Sequence, residues 1–210
     1  MSNTEFTLPS GVTQSSEVVK YGGTSMSFAG TLTSYLELTN NAWLSTTGTR
    51  TIEYWAYPLT AIESTLATVI FSNTSTTQTM TNRRGFGPYF SNTTGAAAGG
   101  RGSQFFVPTT GTANAWNHVA FVITTETVTG YLNGVAQTPV DGFATSPNDF
   151  RQGPYNRIVL GAWPTFNFWR YTGYVDDVRF SSGARYTANF TPPAARLTAD
   201  GTTIALVQSL

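Results

Sequence analysis

The sequence predicts an all-β protein, an antiparallel β-sandwich of the jelly-roll kind, and three observations carry that expectation. Charged residues are only 10% of the 210, so Thr, Ser, Asn and Gly must dress the surface, a choice that suits pleated strands and tight turns over helix surfaces. Short segments of period-two alternation recur along the chain, each punctuated by Gly, Pro or Asn. No sharp compositional break divides it, so one core is expected. Residues 1–17 read as a polar N-terminal arm or loosely attached edge, and 18–210 as a single domain in which 184–210 is an extension with a last strand.

The strands follow in order. Ser25-Met26-Ser27-Phe28 and Tyr35-Leu36-Glu37-Leu38 alternate on either side of the Gly30 turn. Arg50 to Pro58 is β-branched and aromatic, and it stops at a proline that cannot donate to a ladder. Further strands are expected at 65–72, 85–90 and 104–107, with a small-residue loop at 94–100 between the last two. Asn117 to Ile123 is the longest apolar run and reads as a central strand. Val128 to Leu132 then meets Asn133-Gly134, the strongest short-range hairpin signal, followed by Val135-Ala136-Gln137. After a loop at 141–156 come strands at 158–162, 173–180 and 203–207.

Composition also excludes partners. Eleven cations balance eleven anions, and no basic run offers a stripe that would track phosphates, so nucleic acid is not an expected partner. All the cations but Lys20 are Arg, which favours planar pairing and stacking. A charge-poor surface repels its own copies weakly, so a homo-oligomer is expected. Without cysteine there is no disulfide framework or thiolate site. No apolar stretch approaches membrane-spanning length and no signal peptide opens the chain, so synthesis in the cytoplasm and no membrane partner are expected.

Five ordered blocks resemble a LamG-like, concanavalin A-like jelly-roll domain. They are Gly22–Phe28 with Tyr35–Leu38 and Thr51–Pro58; Trp116–Ala120; Tyr131–Val135; Leu160–Ala162; and Gly173–Phe180, spanning about 18–182. The fold hosts lectins, glucanases, adhesion modules and viral structural domains. A narrower resemblance lies in Ala184-Arg185-Tyr186-Thr187-Ala188-Asn189-Phe190-Thr191-Pro192-Pro193, which is similar to the tail of LamG-like domains in tailed-bacteriophage virion proteins. That likeness implies a virion location.

No catalytic residue is expected. A glucanase of this fold needs paired carboxylates on one strand, whereas Glu53 is isolated and reads as structural. His118, the single histidine, reads as a strand residue with a satisfied hydrogen bond. Asp176-Asp177 reads as a buried carboxylate bonding loop amides or pairing with Arg179 or another Arg, since adjacent strand residues point to opposite faces. No metal or cofactor is expected, with calcium left open at Asp141, Asp149 and Asp176. The segment 163–171 departs from the family pattern with five aromatics in nine residues. Trp163, Phe166, Phe168, Trp169 and Tyr171 are therefore candidates for partner or glycan contact, the equal alternative being that some of them pack over the sandwich edge as a local minicore. Arg83, Arg84 and Arg101 beside the small-residue loop are equally open to solvent or interface. The expected function is a non-enzymatic phage virion structural protein, a capsid decoration or cement protein docking on capsid or other virion proteins. The alternative is a carbohydrate-binding module of a tail or fibre that recognises host glycans.

Overall fold

The computed structural model describes residues 6–7, 11–39, 48–59, 69–72, 85–90, 104–109, 112–124, 128–137, 157–161 and 171–209, with backbone alone for 6–7, 38–39, 69–72, 85–90, 104–109, 128 and 157–159. Every regular element among them is a strand. The smaller sheet orders β1 (Phe6–Thr7), β4 (Leu36–Thr39), β12 (Arg157–Leu160) and β6 (Val69–Ser72) as β1-β4-β12-β6. The larger contains β2 (Val12–Ser15), β3 (Ser25–Ala29), β5 (Arg50–Pro58), β9 (Asn117–Ile123), β10 (Val128–Leu132), β11 (Val135–Ala136), β13 (Thr172–Ser182) and β14 (Thr203–Val207). Its order is β11-β10-β9-β5-β13-β3-β2, and β14 adds to β13. On β13, Thr172–Val175 pair with β3 and Val178–Ser181 with β14, while β5 holds the opposite edge.

All pairings in both sheets are antiparallel. A separate pair outside the two sheets, β7 (Gly85–Phe90) and β8 (Gln104–Thr109), runs parallel. The chain between them is long enough for the crossover that a parallel pair needs. The stretch expected as arm or edge contributes edge strands: β1 pairs with β4, β2 pairs with β3, and Val12 enters the core. Asn133 and Gly134 close the β10–β11 hairpin with φ of 49° and 80°, the left-handed pair that a type I′ turn requires.

The core lies between the sheets. Phe28, Ile52, Tyr54, Val119, Phe121 and Phe180 from the larger sheet pack with Leu36 and Leu160 from the smaller. Full burial of each such aliphatic or aromatic side chain contributes about 1.5–3 kcal/mol. Alternation sends Ile52, Tyr54 and Ala56 of β5 into this core, yet Thr51, Glu53 and Trp55 on the other face are buried too. The larger sheet is therefore covered on both sides, as the unbroken burial of β9 also records. Its second cover is the C-terminal segment from 183 to about 202, joined by residues 16–24.

Candidate functional site

The strand register arranges the outer face of the larger sheet in rows. Glu53 lies opposite Ala120 on β9 and Arg179 on β13, and His118 lies opposite Trp55. The fully buried Glu53 carboxylate is the hub of this face. Its Oε1 accepts from Arg179 Nε at 2.9 Å and Nη2 at 2.7 Å, and its Oε2 accepts from the Tyr186 hydroxyl at 2.6 Å. His118 Nε2 stands 3.3 Å from Oε2 and Arg185 Nε 3.6 Å from Oε1. Because a carboxylate only accepts, Nε2 is the protonated ring nitrogen. His118 is thus the strand histidine with a hydrogen bond that the sequence leads one to expect, and its Nδ1 is buried without a hydrogen-bond partner among the described residues. Burial alone would push the Glu53 carboxyl up; the His118 hydrogen bond, the Arg179 charge and the Tyr186 hydrogen bond outweigh it and hold the group below its usual range.

The C-terminal segment closes over this hub. Tyr186 and Phe190 stack at 3.5 Å and 7° and pack on Tyr131 and His118. Phe190 N–H donates to the Gly134 carbonyl at 2.8 Å, and Asn189 accepts from Ala136 N–H at 2.8 Å. A Cβ on Gly134 would collide with the Phe190 carbonyl, so the turn glycine also lets the segment approach. Tyr186 and Phe190 of the 184–193 motif thus fold inward.

Asp176 and Asp177 pin the far end of the segment. Between Asp176 and Arg179 the register with β5 slips by a bulge, and Asp177 has φ 49°. Such a bulge re-aims side chains, which is why adjacent residues that alternation would set on opposite faces both approach Arg196. Arg196 Nε donates to Asp177 Oδ1 at 3.1 Å and Nη2 lies 3.7 Å from Asp176 Oδ1. Asp177 also accepts from Leu197 N–H at 2.6 Å and Gln208 Nε2 at 2.8 Å, and Asp176 accepts from Tyr21 N–H at 3.2 Å. The expected Arg pairing holds with Arg196; Arg179 serves Glu53 instead.

Burial and the charge of Asp177 push the Asp176 carboxyl up to about 6. A raised folded-state value means that the native state holds this proton more tightly than the unfolded chain. The stabilising contribution is complete below the ordinary carboxylate range and is lost as pH rises through about 6. Asp176→Asn mimics the protonated form. Its Tm relative to wild type should therefore rise between pH 4 and 7, and a pH-independent difference in calorimetry would refute this assignment.

Beyond the covered rows, the described residues leave one end of the face only partly buried. Tyr174 lies opposite Tyr57 on β5, and Trp116 follows beside Tyr57 just before β9. Ring centroids are 6.1 Å apart for Tyr57–Tyr174 and 5.4 Å for Tyr57–Trp116, with planes at 73° and 63°. Tyr174 is buried, its hydroxyl donating to Glu17 at 2.7 Å, whereas Tyr57 and Trp116 are half-buried. Asn117 fixes the turn carrying Trp116: its side chain accepts from Thr112 N–H at 3.0 Å and donates to the carbonyls of Thr112 at 2.9 Å and Ala115 at 2.8 Å. Asn114 N–H reaches the Pro58 carbonyl at 2.7 Å. On the other side, Lys20 Nζ sits 3.8 Å from the Trp55 ring centroid, a cation–π contact in which burial lowers the Lys20 pKa. The result is a preorganised, partly open aromatic step beside charged groups.

Residues 29–189 match the family described as Laminin_G_3, the concanavalin A-like lectin/glucanases superfamily. The chain belongs to this superfamily. Among solved structures, this superfamily member is similar to domain 4 of AbnA, a GH43 extracellular arabinanase from Geobacillus stearothermophilus in complex with arabinotriose. That likeness has 16% identity and a TM-score of 0.47 over 82% of this chain and 76% of that one. The cellulose-induced protein Cip1 is similar at 14% identity and TM-score 0.47, over 85% of this chain and 92% of that one. The binding domain of Paraclostridial Mosquitocidal Protein 1 is similar at 13% identity and TM-score 0.39, over 85% of this chain but 42% of that one. No curated protein sequence matches the chain.

Of the site residues expected from sequence, Tyr171 must be corrected. In this concanavalin A-like domain it is fully buried, packs on Phe28 at 5.7 Å and donates its hydroxyl to the Tyr174 carbonyl at 3.0 Å, so it is a core residue and not a contact. Asp176 is buried and engaged as described. Among the described residues no three His, Cys, Asp or Glu side chains converge as metal ligands. Trp163, Phe166, Phe168, Trp169, Arg83, Arg84, Arg101, Asp141 and Asp149 lie outside the described residues. Tyr57 and Trp116 carry no motif that marks them as site residues, although alternation along Arg50–Pro58 sets Tyr57 on the face away from Ile52, Tyr54 and Ala56.

Proposed function

We propose that this domain is a non-catalytic carbohydrate-binding module that seats a sugar ring on the Tyr57–Trp116 step. The observation that carries the reading is the half-buried aromatic pair at the end of the sheet face that, among the described residues, the C-terminal segment does not cover. Aromatic rings offer apolar faces to the C–H faces of sugars, and the rigid turn lowers the entropy lost on binding. Membership of a lectin and glucanase superfamily supports a sugar as ligand. Against hydrolysis stands the state of Glu53, which is buried and occupied by Arg179 and Tyr186. A glycosidase needs two carboxylates flanking the scissile bond. The Asp176 and Asp177 carboxylates are likewise buried.

Trp116→Ala should weaken glycan binding by about tenfold or more while leaving the circular dichroism spectrum intact. A glycan array with wild type and variant checks this, and equal binding by both would refute the site.

The second reading, docking on a virion as a decoration protein, rests on the resemblance of 184–193 to phage virion proteins. Ala184, Thr187 and Ala188 are exposed in that segment and would face such a partner. Mass spectrometry of purified particles tests it: absence of the chain would remove this reading and leave the sugar site untouched.

A further inference from the structure

The angles within the aromatic step restrict what it can hold, and this inference rests on the carbohydrate reading above. A flat polysaccharide surface is gripped by rings lying in one plane. Here Tyr57 stands at 63° to Trp116 and 73° to Tyr174, so Tyr57 cannot lie against one flat face together with either of these described neighbours. Tyr174 adds no platform because only 5% of it is exposed. The remaining described pair, with centroids 5.4 Å apart and planes at 63°, forms an edge-to-face corner.

That corner is also walled. Lys20 lies over Trp55, which precedes Tyr57 on the same face of β5, and Tyr21 packs edge-on to Trp55 at 6.1 Å. The Tyr21 hydroxyl is tied to the Pro193 carbonyl at 2.8 Å, so residues 16–24 and the C-terminal segment meet above the sheet beside the step. An extended chain running along β5 past Trp55 would meet this wall, whereas a chain end seated on Tyr57 and Trp116 would not have to pass it. Glu17, exposed and fixed by Tyr174, and Asn114, exposed on the turn before Trp116, supply acceptors and donors at the rim for hydroxyls.

We infer that the Tyr57–Trp116 corner binds the terminal sugar of a soluble glycan chain and not the face of a crystalline polysaccharide. The test uses the full chain with two kinds of probe. One is adsorption to crystalline cellulose and crystalline chitin. The other is calorimetric titration with cello-, xylo-, chito- and arabino-oligosaccharides from disaccharides to hexasaccharides.

The expected result is binding of at least one soluble series, with affinity per molecule changing less than about threefold with length, lost in Trp116→Ala, and no Trp116-dependent adsorption to crystals. Adsorption abolished by Trp116→Ala, or affinity climbing about tenfold or more with length, would overturn the chain-end inference and leave the carbohydrate reading standing. Binding to none of the probes would overturn both.

Discussion

Glu53→Ala should destabilise the domain by about 3–5 kcal/mol, the cost of removing one partner from a buried ion pair. The size follows from what the substitution leaves behind. Arg179, with 9% of its side chain exposed, would keep its charge inside the fold without the carboxylate that neutralises it. The Tyr186 hydroxyl and His118 Nε2 would lose their acceptor in the same step. For a domain of this size the corresponding fall in Tm is on the order of 10 °C, readable by scanning calorimetry. Glu53→Gln keeps the shape and one acceptor oxygen and should cost less. Because Glu53 is held below its usual range, the wild-type stabilisation is complete above the ordinary carboxylate range and is lost as pH falls through the lowered folded value. The Glu53→Ala penalty should therefore shrink in acid, and a penalty below about 1 kcal/mol at neutral pH would show that the hub behaves as a surface pair.

Asp177→Ala should cost about 2–4 kcal/mol by leaving buried donors unsatisfied. Leu197 N–H, Gln208 Nε2 and Arg196 Nε all donate to this one carboxylate, and Arg196 also reaches the Ser209 carbonyl. The alanine would in addition have to adopt φ 49°, a left-handed conformation that Asp tolerates better. The loss should be regional: amide hydrogen exchange should accelerate at Leu197 and along β14 while Phe121 and Val122 of β9 keep their protection. Uniform acceleration would instead mean that the C-terminal segment and the central strands open as one unit.

The strands were legible because alternation and turn chemistry speak locally. Asn133-Gly134 specifies its hairpin, and Pro58 ends β5 as its missing N–H requires. The double cover of the larger sheet was less legible. Glu53 reads as structural and His118 as a hydrogen-bonded strand residue, but what covers them, Tyr186 and Phe190, arrives from more than sixty residues away and no local pattern announces it. The Asp176-Asp177 arrangement escaped alternation because a bulge breaks the period. At the candidate site, Trp116 is readable as part of a family block, but its place beside Tyr57 comes from the pairing of β9 with β5 and the turn that Asn117 fixes. Composition drew notice to the aromatics of 163–171, and the one of these that is described, Tyr171, is held in the core by its bond to Tyr174.

The most direct measurement is an NMR titration of the indole N–H signals with a soluble oligosaccharide taken from the titration series. The sugar-binding account predicts that the Trp116 signal shifts in a saturable way, that Trp55 beneath Lys20 responds weakly, and that Trp116→Ala abolishes the response. A silent Trp116 with the largest shifts at Trp163 and Trp169 would contradict the Tyr57–Trp116 site, and no shift with any sugar would contradict the sugar-binding account itself.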